Sequence, residues 1–132
     1  MKIIRGCVVA GALVALGLMG CKAEAPTPTP GTLTVSLSSP NADDGAVLFM
    51  LTGPGIQTAQ AANSAYKSYW RLVSATELRF MVVGNLTNGT VATITVDDTH
   101  KVDQYKGTLL DAASRTDAAR SSLASYKITV SR

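Results

Sequence analysis

Beyond residue 21 the chain has no cysteine, and over its whole length it has one histidine, His100. These two scarcities remove several classes of function. A disulfide framework needs paired cysteines, and only Cys7 and Cys21 exist. Structural or catalytic zinc needs three or four His, Cys or carboxylate ligands, a supply this sequence does not offer. A Ser-His-Asp arrangement would have to pass through His100, with Asp97, Asp98 or Asp103 as its orienting carboxylate. The local string "VDDTHKVDQY" reads instead as a polar connection, so catalysis is not expected. Calcium at Asp97, Asp98 and Asp103 would suit hard oxygen ligands, but the D-x-D-x-D-G spacing is missing and a solvated acidic loop is the expectation. Phosphate binding lacks a glycine-rich loop entering a helix, and in "GPGIQT" Pro54 removes an N–H that an anion nest would use. No cofactor is expected.

Charge is also sparse, at 16% of residues. Lys2 and Arg5 supply two of the twelve basic side chains, so beyond residue 20 ten cations face nine acids. That balance provides no broad cationic surface for a phosphate backbone, and nucleic acid is not an expected partner. Long apolar runs are limited to the start. A short basic opening, "MKIIR", precedes fifteen uncharged positions from Gly6 to Gly20. As a helix this run would be roughly 22 Å long, short of the ~30 Å hydrocarbon core, so it reads as an export signal rather than a membrane span. An uncleaved N-terminal anchor is the alternative.

At Leu18-Met19-Gly20-Cys21 the chain resembles the lipobox of bacterial lipoproteins. Leu18, Gly20 and Cys21 match that pattern; Met19 stands where a small or branched residue is more usual. The resemblance implies cleavage before Cys21 and diacylglyceryl transfer to its thiol, with acylation of the new amino group. Two or three acyl chains hold a protein at a membrane far more firmly than one, at about 0.8 kcal/mol per buried methylene. Cys7 would leave with the signal, so Cys21 would have no disulfide partner. In enterobacterial lipoproteins an Asp after the cysteine resembles an inner-membrane retention signal; here Lys22 stands there, which favours the outer membrane. The segment "KAEAPTPTP" follows, where Pro26, Pro28 and Pro30 favour an extended form reaching up to about 28 Å over nine residues. It is read as a spacer, with a proline-rich partner ligand as the alternative. The expected organisation is a signal over 1–20, a lipidated cysteine and tether over 21–30, and one domain over 31–132.

From Gly31 the hydrophobic period becomes two. Leu33, Val35 and Leu37 share a face, as do Leu78, Phe80 and Val82, then Ala92, Ile94 and Val96, and finally Tyr126, Ile128 and Val130. "AVLFMLTG" is apolar on both faces and reads as a central strand ended by Gly53-Pro54-Gly55. Ser39-Pro40-Asn41 and Asp43-Asp44-Gly45 mark a turn, and Ser74-Ala75-Thr76 closes a hairpin. About seven strands predict an all-β antiparallel sandwich. One short helix near 115–124 is also predicted, from Ser114 and Asp117 at capping-box spacing with Ala118, Ala119 and Leu123, covering a sheet edge. "GAVLFMLTGPGI", the strand pairs and the terminal "YKITV" faintly resemble cohesin and immunoglobulin-like sandwiches of bacterial surface proteins. The Asp-Pro that cohesins carry after the apolar strand is missing, and with it the basis for dockerin recognition.

Tyr66, Tyr69 and Arg71, beside Trp70, form the one constellation suited to a ligand, since aromatic faces stack on sugars and Arg binds hydroxyls or carboxylates. Alternation assigns Trp70 and Leu72 to the core and Tyr69 and Arg71 to the outside. The sequence therefore predicts a non-catalytic, lipid-anchored binding or interaction module of the cell envelope, with a protein or glycan partner. The alternative is a structural or assembly subunit of an envelope complex, with a hydrolase third.

Overall fold

A computed structural model describes residues 26–132; the leader, Cys21 and the first part of the tether lie outside the described residues. Eight strands follow in order: β1 (Gly31–Ser38), β2 (Asp44–Thr52), β3 (Ile56–Ala61), β4 (Lys67–Ser74), β5 (Glu77–Val83), β6 (Gly89–Val96), β7 (Lys106–Ser114) and β8 (Lys127–Ser131). They form two four-stranded antiparallel sheets, ordered β3-β6-β1-β8 and β4-β5-β2-β7. The sandwich is the all-β fold the alternation predicts. Its core is built from the predicted faces: Leu33, Val35 and Leu37 of β1 and Ala92, Ile94 and Val96 of β6 meet Leu78, Phe80 and Val82 of β5. Phe49 of β2 and Phe80 stack across a β2–β5 pair, ring centroids 5.2 Å apart, and both are fully buried. The apolar run of β2 lies second from one edge, between β5 and β7, where both of its backbone edges are paired.

Three elements differ from the sequence reading. Strand β3 is additional. "IQTAQA" buries only Ile56 and Ala59, three positions apart, because the register against β6 shifts between Ile56 and Thr58, and a bulged strand has no period of two to detect. The acidic connection contains a 3-10 helix, Thr99–Gln104, capped by Asp98, whose carboxylate accepts from the His100 N–H. The helix predicted near 115–124 is absent. Asp117 has φ +63°, which a right-handed helix cannot pass through, and the Ser114 hydroxyl accepts from Thr116 and Ala118 N–H groups in a tight turn. The segment then doubles back along the free edge of β7. The Ser114 N–H donates to the Ala118 carbonyl and the Arg120 N–H to the Ala112 carbonyl, each at 2.9 Å. The edge is covered as expected, by a bridge instead of a helix.

The strand directions give the sandwich two unlike ends. The tether enters at one, where Thr29 is fixed: its carbonyl accepts from the Thr99 N–H at 2.8 Å and its N–H donates to Asp98 Oδ1 at 3.2 Å. The C-terminus returns to the same end, where Arg132 Nε donates to the Thr99 carbonyl at 3.1 Å. There the Tyr105 ring lies flat on Gly53, where any Cβ would overlap it, and its hydroxyl donates to the Pro54 carbonyl. The far end carries the connections 39–43, 62–66, 84–88 and 115–126.

Candidate functional site

Two features stand out: a polar network at the far end and an exposed hairpin on one flank. The network is centred on Asp44, the first residue of β2, which is 1% exposed. Its Oδ1 accepts from Arg120 Nε at 3.0 Å, Arg120 Nη2 at 2.8 Å and the Tyr126 hydroxyl at 2.8 Å, while Oδ2 accepts from the Ser39 hydroxyl. Arg120 Nη2 also reaches Asp43 at 2.6 Å, and Asn41 donates to the Tyr126 oxygen at 2.8 Å. A buried carboxylate is tolerated here because the guanidinium and two hydroxyls replace its water shell. The network ties the β1–β2 turn to the 115–126 segment. A polar hollow of about 360 Å³ lies beside it, lined by Asn41, Arg120, Ser121 and Ser125 among others. Its guanidinium is already committed to Asp43 and Asp44, so the hollow has no free cation for an anionic ligand.

The charge environment of two carboxyls predicts an acid response. The Arg120 guanidinium holds Asp43 below its ordinary value of 3.8, and the Thr29 and His100 N–H groups do the same for Asp98. A carboxyl with a lowered folded-state pKa stabilises the fold above its unfolded value, and that contribution is lost as pH falls through the folded value. Urea stability should therefore be flat through weakly acidic pH and decline below about pH 4, with a smaller decline in Asp43→Asn. An Asp43→Asn profile that overlays the parent would contradict the assignment. Tyr105 moves the opposite way: burial raises its hydroxyl pKa, with Asp97 and Asp98 adding to the effect.

The acidic connection has structural partners. Asp97 accepts from Gln57, Asp98 is taken up by Thr29 and His100, and His100 Nδ1 lies 3.2 Å from Asp98 Oδ1. Among the described residues no group of three or more His, Cys, Asp or Glu is arranged to hold a metal ion.

The flank hairpin is β4–β5. Register pairs Trp70 with Phe80 and Leu72 with Leu78, so the predicted faces are correct: Trp70 and Leu72 share the inward side, Tyr69 and Arg71 the outward side. The predicted burial is not. Trp70 is 41% exposed and Leu72 36%, because β4 is the edge strand and has a neighbour on one side only. Tyr69 at 63%, Val73 and Met81 are exposed as well, which places the exposed large hydrophobics among the described residues on this hairpin alone. Tyr69 lies opposite Met81, which is itself opposite Leu48. Leu48 and Met81 help line a shallow apolar depression of about 110 Å³ bounded by Asp111. Tyr66 does not join this group. It precedes β4 and packs, partly buried, against Gly84 and the core. Of the three candidate residues, Tyr69 and Arg71 share a face and Tyr66 lies apart.

Comparison of the chain with protein-family models, curated proteins and solved structures returned no match. The buried Asp44 network is not legible in the sequence, because "NADDG" has turn composition and a carboxylate that begins a strand looks the same in sequence as one in solvent.

Proposed function

We propose that the chain is an exported bacterial lipoprotein, anchored through Cys21, whose sandwich is a non-catalytic interaction module of the cell envelope. The observation that carries this reading is the lone cysteine at the junction of an uncharged fifteen-residue run and a Pro-Thr tether. The tether's attachment supports it. Thr29 is bonded at one end of the sandwich, so a lipid on Cys21 would orient that end toward the membrane and the loops 39–43, 62–66, 84–88 and 115–126 away from it. Both long flanks would then stand roughly upright, open to other envelope components. Lys22 in the position after the cysteine favours the outer membrane where there is one.

The assembly-subunit reading draws support from one observation, the apolar side chains exposed on β4 and β5. Exposed apolar surface of this kind serves association more than the binding of a small polar ligand. The two readings share an address and differ in whether the partner is transient or permanent.

The test is Cys21→Ala in cells fed a clickable fatty acid. The parent should incorporate label and migrate as the processed chain. The variant should lose all label and accumulate as the longer precursor. Equal labelling of the two proteins would sink the lipoprotein reading.

A further inference from the structure

We propose that the free edge of β4 receives an extended segment of a partner protein, one that alternates acidic and apolar residues and adds as a further strand. This rests on the reading of the domain as an interaction module and specifies the surface and the chemistry of the partner.

The four sheet edges are treated differently. The β7 edge is covered at its far end by Ala118–Arg120 through the bridge to Ala113. Along the same flank, Gly107 lets β8 approach so closely that any side chain there would collide with Ile128. The exposed positions of β8 and β3 are Lys127, Thr129, Ser131, Gln57, Thr58 and Gln60, polar groups that discourage further pairing. β4 alone combines an open edge with an apolar, high-β-propensity run, "SYWRLV". Among the described residues it pairs only with β5, so one side of its backbone keeps its donors and acceptors unused. Strand addition uses that side for affinity and the alternating side chains for specificity.

Charge selects the partner. The hairpin holds Lys67, Arg71 and Arg79 against a single acid, Glu77. Arg71 sits directly across from Arg79, an unfavourable like-charge pair. Glu77 answers Arg79 at 3.0 Å, whereas Arg71 and Lys67 have no ion-pair partner among the described residues. Both lie on the outer face of β4, where a neighbouring strand would place every second side chain. An added strand with carboxylates on that face would neutralise them, and its alternate apolar residues would cover Trp70 and Leu72 on the inner face. A second copy of β4 fits poorly, since it would bring Lys67 and Arg71 against the same cations.

The experiment uses the full chain in detergent micelles and three fluorescent eight-residue peptides, read by anisotropy. One alternates valine and glutamate, one valine and lysine, and the third repeats the first with every backbone amide methylated, so that neither edge keeps a donor. The valine–glutamate peptide should bind roughly tenfold tighter than the lysine peptide, the sum of two opposite-charge pairs replacing two like-charge ones. Methylation should abolish binding, because it removes the donors a strand pair requires. Arg71→Glu should weaken the acidic peptide and strengthen the lysine peptide, while β4 amides in the parent gain hydrogen-exchange protection with the acidic peptide. Equal affinity for both charges, or indifference to methylation, would overturn the proposal. So would a dimer whose β4 amides are protected without peptide, which would identify the occupant as a second copy. Acylation of Cys21 is read independently, so failure here is distinguishable from failure of the lipoprotein reading.

Discussion

Replacing Phe80 by alanine should destabilise the sandwich by about 3 to 5 kcal/mol, a large part of the total stability of a domain this size. Phe80 is fully buried, stacked on Phe49 and flanked along β5 by Leu78 and Val82, which are also fully buried. The side chains around it belong to paired strands that cannot collapse into the space, so a cavity term adds to the lost transfer energy. Trp70 is its cross-strand neighbour and the larger residue, yet Trp70→Ala should cost only about 1 to 2 kcal/mol, since 41% of its surface already faces water. Urea titration of both variants by far-ultraviolet circular dichroism makes the comparison. Equal losses would mean that Trp70 is enclosed and that β4 does not end the sheet.

The second large effect is expected at Asp44. Asp44→Ala should cost about 2 to 4 kcal/mol, because it takes the buried acceptor from Arg120 Nε and Nη2, leaving the guanidinium with the exposed Asp43 alone, and leaves the Tyr126 hydroxyl without its acceptor. The loss is local in origin, so hydrogen exchange should rise first in the β1–β2 turn and across 115–126. Combining Asp44→Ala with Arg120→Met should recover part of the stability, since removing both charges leaves no buried ion unpaired. A double variant less stable than Asp44→Ala alone would show that Arg120 contributes by packing and not by pairing.

The strand faces of this protein are legible in its sequence because burial on one side imposes a period of two. Leu33-Val35-Leu37, Leu78-Phe80-Val82 and Ala92-Ile94-Val96 lie where alternation puts them. Alternation reports which face a residue takes and says nothing about whether that face is covered. Trp70 shows the difference: its side is correct and its burial is not, since a strand's place in the sheet order depends on distant pairing. Strand β3 was invisible for a local reason, a bulge that breaks the period. The helix expected at 115–124 failed because Ser114 and Asp117 serve a turn as readily as a cap, and the choice was made by Asp43 and Asp44, more than seventy residues away, drawing in Arg120. Of the candidate surface, Tyr69 and Arg71 could be read from alternation, but the open edge beside them could not. Cys21 lies outside the described residues and rests on the sequence pattern.

Whether Cys21 links this sandwich to a membrane, as proposed, is decided by the intact mass of the chain isolated from bacterial membranes. The expected mass is that of residues 21–132 plus a diacylglyceryl group and, where the amino group is acylated, one further acyl chain, with no peptide from residues 1–20. A chain that begins at Met1 or is cut at another bond, with an unmodified thiol at Cys21, would contradict it.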